Sequence, residues 1–193
     1  MPQAFRPAAL CLLILLPMAV PAAGFNYHYT GLQGAGLEHE SGVTGSAWRI
    51  EQSKDTGSRR VVLEYGERSW ENDLEATRLG FGLGWISRYD RNAELRFEAR
   101  YLRLDLDSPG ALPAEWNAWG GSASGFEYAA GLRFASDRTV ELDAGVHHQV
   151  IGDENTGYHA GLLFNLNQHI TLGVQWETDD YATARGAQLR WRY

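Results

Sequence analysis

Apolar and polar residues alternate with period two in a series of short segments, most clearly at the end of the chain. From Gly186 to Tyr193, Ala187, Leu189, Trp191 and Tyr193 share one face, while Gly186, Gln188, Arg190 and Arg192 share the other. That spacing predicts a strand with one apolar and one polar side. Three earlier segments are built alike: Leu79, Phe81, Leu83 and Trp85; Phe126, Tyr128, Ala130, Leu132 and Phe134; Tyr158, Ala160, Leu162 and Phe164. Each closes on an aromatic.

The remaining strands fall between these four. A first, near Phe25 to Glu38, opens with Phe25, Tyr27 and Tyr29 on one face and blurs through Gly31, Gly34 and Gly36. A second, near Gly45 to Gln52, carries Trp48 and Ile50 and ends at the turn residues Lys54-Asp55-Thr56-Gly57. A third alternates Val61, Leu63 and Tyr65 with Arg60, Val62 and Glu64. Turns around Tyr89 to Asn92, Ala135 to Arg138, Asn165 to Gln168 and Thr178 to Tyr181 then bring the total to ten strands, with eight as the other count. A turn centred near Tyr89 sets Glu94, Arg96 and Glu98 opposite Gly84, Gly82 and Gly80, where long charged side chains need the space that glycine leaves. The same run superficially suggests a nucleotide-binding loop, but no helix and no acidic ribose contact follow it. Similar pairing sets Arg133 opposite Glu141 and Glu127 opposite His147.

Composition narrows the class. Residues 1–22 read as a signal peptide, with Arg6 before an apolar run from Ala8 to Val20 and small residues at Val20-Pro21-Ala22. The single cysteine, Cys11, lies inside it, so residues 23–193 hold neither a disulfide nor a thiolate nucleophile. No later run is long and apolar enough for a membrane-spanning helix, yet a spanning strand needs only about 10 residues, half of them facing lipid. The net charge is −7 and Lys54 is the only lysine among many arginines. With no basic stripe, nucleic-acid binding is not expected. Guanidinium suits a confined network of carboxylate contacts, or a lipopolysaccharide surface.

Alternation alone does not say which face is inside, and a secreted lipocalin-like barrel would alternate too. The aromatics at strand ends, the glycines on the charged face and the aromatic final strand all favour apolar outside and charged inside. From Asn26-Tyr27-His28-Tyr29 to Leu189-Arg190-Trp191-Arg192-Tyr193, the chain resembles small outer-membrane β-barrel proteins of the OmpA-like and porin-family type, in the short form without a periplasmic domain. The resemblance implies an all-β, antiparallel up-and-down transmembrane barrel in the cell outer membrane. Both termini and the short turns would be periplasmic, and the terminal strand would be read by the barrel-assembly machinery. Trp85, Phe134, Phe164, Trp191 and Tyr193 would form a periplasmic aromatic girdle. The opposite loops are acidic, with Glu71 and Asp73, a long stretch from Asp105 to Ser124, Asp153 and Glu154, and Asp179 and Asp180. They would meet lipopolysaccharide through divalent cations.

The inward list is nearly balanced. Arg60, Arg78, Arg96, Arg100, Arg133, Arg190 and Arg192 stand against Glu64, Glu94, Glu98, Glu127, Glu141, Asp143 and Glu177. In a narrow lumen such groups must pair, so a charge-paired, closed barrel is expected. It would be monomeric, without a cofactor and not an enzyme, serving envelope integrity or surface interaction. A narrow porin for small solutes is the alternative, and a lipid or peptide hydrolase acting at the extracellular rim is the rival of a different class. One local candidate remains. If His148 meets Tyr158 outside, His147 lies opposite His159 inside with Glu127 at the same level, a grouping that could hold zinc or a shared proton or be one more part of the charge network.

Overall fold

The computed structural model describes residues 25–193 other than 26, 72, 90–91, 108–120 and 137–138, and every side chain among them but that of 153. The expected signal peptide, Cys11 and most of the long loop, including Trp116 and Trp119, lie outside the described residues. Ten strands follow one another: β1 (Tyr29–His39), β2 (Thr44–Asp55), β3 (Arg59–Trp70), β4 (Glu75–Arg88), β5 (Ala93–Asp107), β6 (Ser122–Ala135), β7 (Val140–Ile151), β8 (Asp153–Asn165), β9 (Ile170–Thr178) and β10 (Ala182–Arg192). Each pairs antiparallel with its sequence neighbours. β10 pairs with β1, from Arg192 opposite Tyr29 to Ala182 opposite His39, and so closes the barrel.

The apolar face is outside. Leu83, Trp85 and Trp191 are more than half exposed, and Phe81, Phe97, Phe126, Leu142, Val174 and Leu189 join them in one apolar band. The polar face is inside, where Glu64, Glu94 and Arg133 have no accessible surface. In water this arrangement would be unstable. In lipid it is the stable one, because the band meets acyl chains while the closed ladder satisfies every strand's backbone groups. The lipocalin-like alternative requires the reverse and is excluded.

One end of the barrel carries the connections after β2, β4, β6 and β8 together with the end of β10, and is called the turn end here. The loop end carries the others. The loop end is less uniform than expected, since β7 and β8 are joined through Gly152 alone, at φ 74°, a left-handed conformation that glycine adopts without strain. Asp153 and Glu154 therefore begin a strand rather than form a loop.

Three pairings differ from expectation, always by an even number of residues, so every side chain keeps its face. β4 continues past Trp85 to Arg88, which puts Trp85 opposite Phe97 and sets Gly84, Gly82 and Gly80 against Glu98, Arg100 and Leu102. Between β6 and β7, Arg133 faces Asp143 and Glu127 faces Gln149. Between β7 and β8, the tight turn at Gly152 puts His147 opposite Gly157 and His159 opposite Gly145.

The pairing of glycine with a long side chain survives these shifts. A Cβ on Gly82 would lie 2.7 Å from Arg100 Cγ, and one on Gly80 2.6 Å from Glu64 Cγ. A Cβ on Gly157 would collide with the His147 ring and lie 2.7 Å from the Thr178 carbonyl oxygen. Gly34, on the outer face, has nothing within 4 Å of such an atom. Gly157→Ala should therefore destabilise the barrel by about 1–3 kcal/mol, whereas Gly34→Ala should stay within about 0.5 kcal/mol. Urea unfolding in detergent, followed by the loss of compact gel migration, measures both; equal effects would refute the notch assignment.

Candidate functional site

The lumen holds the chain's concentrated chemistry. β3, β4 and β5 aim Arg60, Glu64, Arg78, Glu98 and Arg100 inward, and β2 and β6 add Glu51 and Glu127. Arg60 donates to Glu51 at 2.6 Å and to Glu98 at 2.8 Å. Arg100 donates to Glu98 and, at 2.6 Å, to Glu64. Arg78 also holds Glu64 and reaches Glu127 at 3.0 Å, while Gln149 donates to the same Glu127 oxygen at 2.7 Å. The network is continuous across five strands. Ions this deeply buried persist only when each has partners that replace water, and here each guanidinium serves at least two carboxylates.

A second grouping lies at the turn end. Phe25 and Tyr27 precede β1 and, with Tyr29, fold into the lumen against Ile86 and Ala135. The Arg133 guanidinium lies 4.9 Å from the centres of both the Phe25 and Tyr27 rings, Arg60 lies 5.2 Å from Tyr27, and Arg190 lies 4.8 Å from Tyr29. Desolvated contacts of this kind reach about 2 kcal/mol each. The Tyr27 hydroxyl donates to Glu94 and the Tyr29 hydroxyl to Glu51. Arg133 is also bonded to Glu141, so the expected Arg133–Glu141 pair forms although the two residues are not directly opposed. Arg192 donates to Asn165 and Thr171. Aromatic rings, arginines and carboxylates together make a floor.

The histidine candidates are not brought together as expected. His147 and His159 are diagonal, each seated over the other strand's glycine. Glu127 is held by Arg78 and Gln149, and Asp143, bonded to Arg96, is the acid near His159, at 3.5 Å from its Nε2. Among the described residues no group of three or more His, Cys, Asp or Glu side chains is placed to hold a metal ion. The zinc reading falls with the register that suggested it.

Between the network and the opposite wall lies a cavity of about 120 Å³, lined by residues that include Arg49, Glu51, Arg96, Asp143, Gln175 and Arg190. A smaller one of about 50 Å³ adjoins it toward the loop end. Arg49, Glu51 and Gln33 were absent from the sequence-based inward set, as were the floor aromatics. The available signal was the polar run Arg49-x-Glu51-x-Ser53, which alternates with Trp48 and Ile50 on β2.

Outside, Trp85, Phe134, Phe164 and Trp191 are exposed on the outer face near the turn end. Tyr193 lies there too, accepting a hydrogen bond from Gln52 at 3.2 Å. Toward the loop end the apolar band gives way to charge, with Arg103 bonded to Asp105 at 3.1 Å and Arg185 lying 3.8 Å from Glu38. Asp179 and Asp180 are partly spent on backbone: Asp179 accepts from the amides of Tyr181 and Ala182, and Asp180 from that of Thr156.

No protein-family model matches the sequence, and no curated protein matches it. Solved structures do. The chain is similar to the NanC porin, with a TM-score of 0.54 at 7% identity over 85% of this chain and 100% of that one. It is also similar to an outer membrane channel from Pseudomonas putida F1, with a TM-score of 0.52 at 9% identity over 90% and 96% of the two chains. Neisserial surface protein A aligns at 14% identity over 86% and 96%, with a TM-score of 0.46. At these identities the likeness to the NanC porin and to the channel shows the fold alone, an antiparallel barrel of the outer-membrane kind, and the chain's own closed sheet sets its strand number at ten.

Glu64 is the best single test of the network, since it is fully buried and shared by Arg78 and Arg100. Glu64→Gln should cost about 3 kcal/mol by leaving buried guanidinium charge under-compensated. Arg103→Gln, which breaks an exposed pair, should cost less than about 1 kcal/mol. Urea midpoints in detergent separate the two, and a Glu64 effect as small as that of Arg103 would refute the network's structural role.

Proposed function

We propose that the protein is a small outer-membrane barrel with a closed lumen, serving envelope integrity or contact at the cell surface rather than catalysis or steady conduction. The observation that carries this reading is the Arg60–Glu98–Arg100–Glu64–Arg78–Glu127 chain, which lines the lumen with paired charge from β3 to β6. The Phe25, Tyr27 and Tyr29 floor supports it, because it closes the turn end with rings packed on arginines. A ten-stranded lumen also lies nearer the side-chain-filled eight-stranded case than the water-filled barrels of sixteen or more strands.

The turn end would face the periplasm and the charged loop end the outer surface. Arg103, Asp105, Arg185 and Glu38 ring the outer face just above the apolar band, where lipopolysaccharide phosphates and their bridging cations would meet them. The chain would work as a monomer, inserted by the barrel-assembly machinery.

A narrow porin is the second reading. It draws on the cavity of about 120 Å³ and on structural likeness to the NanC porin and to the Pseudomonas putida outer membrane channel. Planar bilayers decide between the two. The purified protein, recovered from the outer-membrane fraction and shifting in gel migration on heating, should give no steady conductance above the bare bilayer. A stable conductance proportional to salt would establish the porin and overturn closure.

A further inference from the structure

Almost every lumen charge is satisfied by a neighbour. Arg60, Arg78, Arg96, Arg100, Arg133 and Arg192 each have a carboxylate within 4.0 Å. Among the described residues, the lumen guanidiniums without such a pair are Arg49 and Arg190, and the lumen carboxylate without one is Glu177. Arg190 donates its Nε to Gln188 at 3.0 Å and lies 4.8 Å from the Tyr29 ring, while its buried Nη1 has no hydrogen-bond partner. Arg49 and Glu177, the latter opposite His159 on β8, have no ion pair within 4.0 Å, and they line the same two cavities.

We propose that this loop-end vestibule binds a small zwitterionic solute, with its carboxylate on Arg49 and its ammonium on Glu177. The Arg49 head is already aimed, because its Nε donates to Gln33 Oε1 at 2.7 Å and leaves the terminal nitrogens for a ligand. Arg49 stands on β2 and Glu177 on β9, with β1 and β10 between them. Three strand spacings of about 4.8 Å separate them across the wall, and the register, which sets Arg49 level with Gly173, puts Glu177 four residues farther along β9 toward the loop end. Those two intervening strands carry Ala35 and Ala184 here, with Ala47 and Gly66 beside them, so the wall between the two charges is bare. Gln33 and Gln175 line both cavities and supply amides at the rim of the gap.

A cation and an anion held apart in one cavity are complementary to a ligand that carries both charges in the opposite order. A simple anion satisfies Arg49 and is repelled by Glu177, and a simple cation meets the reverse. The cavity of about 120 Å³ holds several waters, so the solute has the size of the smallest α-amino acids. The vestibule adjoins the network, whose Arg60, Glu98, Arg100 and Glu127 line the same cavity. Binding of such a solute goes beyond the closed-barrel reading.

Glycine is the probe, titrated into ¹⁵N-labelled protein refolded in detergent micelles while the Arg49 side-chain and Gln33 amide resonances are followed by NMR. Saturable shifts are expected, with acetate and methylammonium each binding at least tenfold more weakly. Arg49→Gln and Glu177→Gln should each weaken glycine at least tenfold while retaining heat-modifiable migration. If either fails to fold, Arg49→Lys and Glu177→Asp, which keep the charges and move their geometry, should show a weakened but saturable response. Absence of saturable shifts in the parent, acetate binding as tight as glycine, or unchanged glycine affinity in the folded variants would overturn the site.

Discussion

A chain that crosses lipid as strands must leave no backbone donor or acceptor unpaired, and the rest of this structure follows from meeting that demand by closure. The seam between β1 and β10 runs the full length of β1, from Tyr29 opposite Arg192 to His39 opposite Ala182. Beyond its end the Tyr193 amide still donates to the His28 carbonyl at 3.2 Å. Because the seam joins the first strand to the last, no subset of hairpins is free of edges. The alternation of each strand then sorts side chains into a lipid-facing set and a lumen-facing set, and closure makes that sorting irreversible.

With apolar side chains spent on the outside, the interior has to be held by other forces. It is held by charge. Arginines and carboxylates from five strands interlock at mid-barrel, and glycines on β4, β7 and β8 leave the room in which long side chains lie. The buried apolar clusters sit at the two ends, Phe25, Tyr27, Tyr29, Ile86 and Ala135 at the turn end and Leu37, Trp70, Leu74 and Ala182 at the loop end, while Val62 and Leu102 lie singly among the charges. Such an interior is intolerant of losing one partner and tolerant of losing an exposed one, which is the opposite of a soluble protein's apolar core. It also leaves few described lumen charges without an ion pair, Arg49, Arg190 and Glu177 being those.

Ten strands, their faces and the sense of the barrel were legible because all three depend on period-two alternation. Register was not, because a shift of two or four residues leaves that alternation intact. The consequence fell on the histidines: a turn at Gly152 alone, instead of a longer acidic loop, moved His147 from His159 to Gly157. Arg133 and Glu141 survived a comparable shift because an arginine is long enough to reach a diagonal carboxylate. Phe25, Tyr27 and Tyr29 read as one strand face, but nothing in their spacing says that two of them precede the strand or that all three point inward. Only the arginines beneath them explain why rings belong inside a charged lumen.

Two adjacent alanines on β6 offer the most direct measurement, since Ala130 shares the outer face with Tyr128 and Leu132 whereas Ala129 shares the lumen with Glu127 and Arg133. Single cysteines at each, spin-labelled in lipid bilayers, would report collision with oxygen, which concentrates among acyl chains. The structure predicts high oxygen accessibility at position 130 and low accessibility at 129. Equal values, or the reverse order, would contradict a barrel whose apolar face meets lipid and whose charges fill the inside.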